Sequence, residues 1–240
     1  MVMIDDIRTA LKKLGSKAKA ENSARFFKSG KGQYGEGDIF LGVTVPEQRL
    51  IAKQFADAPL DVIEHMLADP VHEMRLTALL ILVRKFEKGS DADKKAIVDF
   101  YLRHLDGVNN WDLVDGSAPY ILGAWLLPKK DRSVLYRLAR SGKLWRERVA
   151  IVATWGLIRK GDLEDAIRIS VILLHHKHDL IHKAVGWMLR EVGKKDGNVL
   201  RTFLDQHATT MPRTALRYAT ERMEKHEKAA YLARKKSATT

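Results

Sequence analysis

The sequence predicts an all-α fold, read further as a solenoid of stacked antiparallel helix pairs. Three observations carry this reading. Apolar residues recur at helical spacing almost throughout, and two-residue alternation is nearly absent. Glycine, proline and aspartate clusters punctuate the chain at 56–59, 68–70, 88–91, 160–162 and 194–197. A small residue returns at a nearly constant interval: Ala78, Ala118, Ala150, Ala184 and Ala215, spaced by 40, 32, 34 and 31 residues. Such a period fits helix pairs stacked side by side, each burying its apolar face against the next. An alanine at the contact lets successive helices approach closely.

The elements follow from the amino end. Helices are expected at 3–21, 46–56, 59–68, 71–87, 91–105, 110–126, 131–140, 144–160, 162–175, 179–193, 196–207 and 212–225. Asn110 is a candidate N-cap, with Asp112 as a first-turn acid favoured by the helix dipole. Asp179 is a candidate N-cap after HHKHD at 175–179, which reads as an interhelix loop because its histidines are too close for a zinc spacing. The pair His72-Glu73 lacks the second histidine of a zinc-protease motif and is given no role. Pro119 lacks the N–H that would serve the carbonyl of Asp115, so a kink is expected near Gly116, or a new start capped by Ser117. The segment 28–42 holds Gly30, Gly32, Gly35, Gly37 and Gly42 and reads as a flexible loop, either a tether or a lid. Its spacing matches no nucleotide-binding fingerprint. Residues 1–234 are expected to form one domain, with 235–240 a frayed tail. The period is shorter than is usual for HEAT repeats, but the arrangement it implies is HEAT-like. In it, equivalent helices line one concave face.

Composition limits the function. Hydrophobic residues make up 45% and charged residues 30% of 240, the balance of a folded chain rather than a disordered one. With no cysteine, a disulfide scaffold, a thiolate metal cluster and a thiol nucleophile are excluded. The longest apolar run, Leu76–Val83, is far too short to span a bilayer. The first residues carry acids where a secretory signal would be basic. A cytoplasmic, nucleoid-associated monomer with no membrane role, no metal and no cofactor is expected. The 42 lysines and arginines against 30 acids give a net charge of +12, which favours a polyanionic partner, most simply nucleic acid.

The residues beside the alanine anchors sharpen that reading. Asp115, Arg148, Lys183 and Arg213 lie next to them, and Trp187 and Tyr218 lie one turn further on. Trp111 precedes Asp115 by four residues, so both project from one helix face. Cations interleaved with aromatics suit a nucleic-acid groove, charges for phosphate and ring faces for sugar and base. One carboxylate among them repels phosphate. It is therefore either a structural partner of an arginine, with Arg148 the candidate, or a chemical group. Trp125, Trp145 and Trp155 sit beside aliphatic residues and are assigned to packing.

The strings NNWDLVDGSAPYILGAWLL at 109–127, SGKLWRERVAIVATWGLIRKG at 141–161 and HDLIHKAVGWMLREVGKKD at 178–196 resemble the AlkD-type DNA alkylpurine glycosylases. So do IFLGVTVPEQR at 39–49 and MPRTALRYATERM at 211–223, and together the similarity covers roughly residues 20–225. The resemblance implies a HEAT-like solenoid that clasps duplex DNA in its concave face. It implies hydrolysis of the N-glycosidic bond of cationic N3- and N7-alkylated purines. Matched position by position, it makes Asp115 the catalytic acid, Trp111 and Trp187 the cleft indoles, and Arg148 the cleft arginine. Arg148, read as a phosphate clamp, and Lys183, Arg190, Arg213, Arg217, Arg49 and Thr44 are the expected DNA contacts. The chain departs from some relatives at Asn110, where an aromatic precedes the first tryptophan, and Phe26 or Phe27 is the local match for a further cleft aromatic.

The chemistry fits such a site independently. An alkylated purine is already a cationic leaving group and needs little acid catalysis. The sugar acquires oxocarbenium character, which one carboxylate and indole faces stabilise. The competing reading is a non-catalytic HEAT-like module that binds DNA or an acidic protein; an RNA-binding solenoid is a third.

Overall fold

Every regular element is helical among the residues the computed structural model describes, 3–234, and the only strand-like pairing there is one parallel bridge between Ile39 and Val71. The expected tail at 235–240 lies outside the described residues. The helices form two compact units, one ending at Ile121 and the other beginning at Leu122.

The first unit is built around α5 (His72–Lys88). It is buried at every position from His72 to Val83 because α1 (Ile4–Leu14), α3 (Val45–Gln54), α4 (Leu60–Leu67), α6 (Asp91–Arg103) and α7 (Trp111–Asp115) all pack on it. The run LTALLILV is therefore apolar around the whole helix rather than on one stripe. The helix expected at 3–21 is two. It ends at Gly15, and Ser16 caps α2 (Lys17–Phe26), its N–H donating to the Leu41 carbonyl at 2.8 Å. Glycine is a poor helix former and serine a good cap, so the break is local chemistry.

The second unit alternates two layers. The helices α10 (Leu144–Ile158), α12 (Asp179–Lys195) and α14 (Arg213–Ala219) pack successively on one another. Around them lie α9 (Ser133–Ala139), α11 (Glu164–Ile172) and α13 (Gly197–His207). Ala150, Ala184 and Ala215 sit at the inner contacts, at most 1% exposed. Gly186 makes the closest of these possible: a Cβ there would stand 2.5 Å from the Ala215 carbonyl and from Cβ of Tyr218. The helix expected at 212–225 stops at Ala219, where the Thr220 hydroxyl bonds back to the Leu216 carbonyl at 2.8 Å and competes with the ladder. A further helix that the periodicity does not announce, α15 (Lys225–Ala233), docks through Tyr231, whose hydroxyl donates to Asp205 at 3.0 Å.

The glycine-rich segment is pinned at its carboxyl end. Glu73, 2% exposed, accepts the backbone N–H groups of Leu41, Gly42 and Val43 at 2.8–3.3 Å. Ile39 donates to the Pro70 carbonyl and accepts from the His72 N–H. Gly42 has φ +78°, and a Cβ on it would lie 2.2 Å from the Ser16 carbonyl. Gly37 has φ +89° with nothing within 4 Å. Gly42→Ala therefore combines backbone strain with a clash and should lower the unfolding free energy by about 3 kcal/mol or more, against about 1 kcal/mol for Gly37→Ala, in urea titrations.

Candidate active site

The segment around Asp115 does not continue as one helix. Trp111–Asp115 forms a single short α-helix, a turn follows, Pro119–Gly123 makes a π-helical turn, and α8 (Ala124–Leu126) resumes. The expected interruption at Pro119 is present. Ser117 and Ala118 both donate to the Val114 carbonyl, and Tyr120 and Ile121 both donate to that of Ser117. The Ser117 side chain caps no N–H of the turn that follows. Its hydroxyl donates to the Leu113 carbonyl at 2.6 Å and meets the Tyr101 hydroxyl at 2.9 Å. Burial raises the Tyr101 hydroxyl well above its ordinary range; the Ser117 contact lowers it in part, and the nearby Asp115 charge adds to the rise. Asp115, half-buried, thus ends a one-turn helix beside a buried phenol.

Trp111 is also half-buried, and its indole is packed from the amino-terminal side. Phe27 stacks on it at 5.2 Å and 21°, and Phe26 meets it edge-on at 5.7 Å. Both aromatics that the sequence offers are therefore at the tryptophan, and Phe26 stays 64% exposed. Each ring pair adds about 0.5–1.5 kcal/mol beyond its buried area. Beside this turn Arg49, Ala52, Arg84, Glu87, Gly116 and Tyr120 line a cavity of about 170 Å³. Of the expected DNA contacts, Arg49 and Thr44 are exposed in this unit. Thr44 begins α3, its backbone N–H and hydroxyl both donating to Glu47.

Beneath the tryptophan lies a polar cluster without counterpart in the sequence reading. His72 Nδ1 meets Asp38 at 2.9 Å and Nε2 meets Asp112 at 2.8 Å. Arg75 reaches the other Asp38 oxygen at 2.5 Å. Ionised carboxylates only accept, so both imidazole nitrogens must donate and the ring is an imidazolium. With Arg75, the cluster then holds two cations and two anions. Burial alone would lower the His72 pKa; the hydrogen bonds to Asp112 and Asp38 outweigh it and lift it to about 9. Burial likewise opposes ionisation of Asp38, but His72 and Arg75 hold it below the usual carboxylate range. His72-Glu73, given no role above, thus makes both principal ties of the glycine-rich segment. Asp112 is more than a dipole-favoured acid, being the partner of His72. A usable signal was present: four polar residues, His72, Glu73, Arg75 and Thr77, open a helix whose next stretch, 78–83, is wholly apolar, and buried polar groups must be paired.

In the second unit the expected residues divide. Arg148 is 4% exposed, and its guanidinium donates to the Leu180 carbonyl of α12 at 2.6 Å. That placement ties α10 to the first turn of α12. Trp187 is half-buried and faces Trp155 at 6.0 Å, with the Arg159 guanidinium 5.0 Å from the Trp155 ring. Trp155 is therefore half-exposed beside Trp187, not core. Trp125 and Trp145 are half-exposed too, Trp125 lying under Lys129. Lys183 is 41% exposed and bonded to Asp179 at 2.7 Å. Arg190 pairs with Glu191 and Glu221. Arg213 and Arg217 are exposed, Arg213 also donating to the Leu232 carbonyl. The N-cap of α12 is His178, whose ring accepts from the Leu180 N–H, rather than Asp179. His176 pairs with Glu147 at 2.9 Å. No group of three or more His, Asp or Glu side chains among the described residues is arranged to hold a metal ion, and no helix there is long and apolar enough to cross a membrane.

The all-helical chain thus carries an acid and an indole on one interrupted turn, and half-buried or exposed cations on α12 and α14 of its second unit. The chain is a member of the DNA alkylation repair enzyme family, whose model matches residues 7–223. Among solved structures it is similar to one described as a predicted DNA alkylation repair enzyme from Enterococcus faecalis, at 17% identity and a TM-score of 0.68, over 88% of this chain and 97% of that one. At that identity the likeness speaks for the fold. No curated protein matches the sequence significantly.

The His72 pKa sets a pH dependence. A pKa raised from 6.5 to about 9 gives stability that is complete below 6.5 and lost as pH rises through 9. The stability advantage of the wild type over His72→Gln should therefore shrink by on the order of 3 kcal/mol between pH 6.5 and 9.5 in urea denaturation. An advantage constant with pH would mean that the ring is neutral.

Proposed function

We propose that the protein is a DNA glycosylase that hydrolyses the N-glycosidic bond of cationic N3- and N7-alkylated purines in duplex DNA. The single observation that carries this is the Trp111–Asp115 turn. In a chain of the DNA alkylation repair family, an accessible carboxylate and an indole share one face of a helix that stops at the carboxylate.

In this reading Asp115 lies against the anomeric carbon, stabilises the oxocarbenium character there and orients the water. The C1′–N9 bond breaks with its electron pair going to the purine, which cancels the alkyl-derived positive charge. Water oxygen bonds to C1′, and its proton passes through Asp115 to solvent. Trp111 and Trp187 add ring-face stabilisation of the cation, each about 0.5–2 kcal/mol when desolvated. Because the leaving group is activated by its own charge, one acid suffices and neutral lesions react poorly.

The helix pairs of each unit are taken as HEAT-like repeats. Arg49, Lys183, Arg213 and Arg217, all partly or fully exposed, are assigned to phosphate. Arg148, buried against Leu180, is assigned to holding α12, which carries Trp187.

The test is release of free 7-methylguanine and 3-methyladenine from methylated duplex DNA under single turnover. Asp115→Asn should lower the rate at least about 100-fold while DNA affinity changes little. A wild-type protein that binds the duplex but releases neither base would favour a non-catalytic DNA-binding module instead.

A further inference from the structure

The one-turn helix α7 is too short to hold its own position. Five residues make few ladder bonds, and Pro119 stops the ladder from continuing. Its location therefore depends on side-chain ties, and these converge on one place. Asn110 caps the Trp111 N–H through Oδ1 at 2.8 Å and extends Nδ2 toward Asp38 at 3.3 Å. Asp112, in the second position of the helix, takes His72. Asp38 takes His72 and Arg75. A Cβ on Gly35 would meet the Asn110 amide at 3.3 Å, so the loop backbone closes on the same cap.

Aromatic packing repeats the connection. The His72 ring lies 4.7 Å from Phe27 and 4.9 Å from Phe40, and Phe27 is the ring stacked on Trp111. Trp111 is thus reached from His72 along two routes, one polar through Asp112 and the α7 backbone, one through the face of Phe27.

We propose that His72, bridging Asp38 and Asp112, is the positioning residue of the active-site turn: it sets where α7 presents Trp111 and Asp115, without itself touching DNA. The inference rests on the glycosylase reading for what the turn does, but the positioning is a property of the first unit alone. The groups that face His72 are Asp38 from the glycine-rich segment, Asp112 from α7, Arg75 from its own helix, and the rings of Phe27 and Phe40. The two carboxylates outweigh the one neighbouring guanidinium, so a cation at position 72 is what the cluster requires. Among the described residues the buried Asp112 Oδ1 has no hydrogen-bond partner, which leaves its other oxygen, on His72, as the anchor of that carboxylate. Charge-assisted bonds of this kind, lost on one side only, leave a buried carboxylate uncompensated.

The experiment uses the full chain with 5-fluorotryptophan, the Trp111 resonance being assigned by its disappearance in Trp111→Phe. The variants are His72→Gln, the isosteric Asp112→Asn and His72→Arg, which keeps a cation able to span two carboxylates. In His72→Gln and Asp112→Asn, the Trp111 resonance should shift or broaden while the other four keep their positions. The single-turnover excision rate should fall at least 10-fold with DNA affinity within 2-fold. The double variant should be no worse than either single one. His72→Arg should restore part of the rate. An unmoved Trp111 resonance with an unchanged rate in Asp112→Asn would overturn the proposal, and it does so even if His72→Gln fails to fold. A wild-type protein that excises nothing, with Trp111 still displaced in Asp112→Asn, would overturn the glycosylase reading and leave the positioning role standing.

Discussion

A buried imidazolium held between two carboxylates organises the first unit. His72 is 2% exposed and has Asp38 on one nitrogen and Asp112 on the other, with Arg75 on the far oxygen of Asp38. Such a cluster is costly to desolvate, and its Coulombic gain offsets that cost only when every charge is matched. Here two cations face two anions. What the cluster provides is location. It joins a glycine-rich segment, the buried start of α5 and a one-turn helix. Glu73, the next residue, performs a similar task with backbone N–H groups, gathering three from Leu41 to Val43. Two adjacent side chains at the start of α5 therefore tie down Asp38 and Leu41–Val43 of the glycine-rich segment.

The chemistry proposed for this chain depends on that arrangement through α7. A continuous helix would carry Asp115 in its interior, flanked by the next turn. Pro119 prevents this, and the chain leaves by a π-helical turn that brings Gly123 close to α10, where a Cβ would stand 2.2 Å from the Ala153 carbonyl. Asp115 becomes a terminal residue, half-exposed and able to meet a ligand. Trp111, one turn earlier, has Phe27 stacked on one face and Phe26 at its edge. In the proposed reaction small displacements of such groups are expensive, so ties that bear on α7 but not on substrate would bear on its rate.

Much of the all-helical fold was legible in the sequence, because periodicity and small-residue spacing are properties of single helices and their nearest neighbours. The alanine anchors sit at buried contacts within the units, and Trp111 and Asp115 share a turn as their spacing requires. The breaks at Gly15 and Ala219 were harder, since each turns on one residue inside an otherwise helical pattern. That the polar start of α5 must be paired was legible, but its partners were not. Asp38, His72 and Asp112 are separated by 34 and 40 residues, and no local rule links a loop acid, a helix-start histidine and a first-turn acid. Trp155 was hidden for a similar reason: aliphatic neighbours in sequence do not reveal that its ring meets Trp187 on the adjacent helix.

The claim that His72 is a buried imidazolium joining the glycine-rich segment to the Asp115 turn is open to direct observation. Imidazole nitrogen resonances of the ¹⁵N-histidine-labelled chain report protonation at each ring nitrogen as pH is raised. The account predicts that both His72 nitrogens stay protonated through neutral pH and titrate together near 9, and that Asp112→Asn lowers that midpoint. A single neutral tautomer at pH 7.5, or a midpoint near the ordinary 6.5, would contradict it.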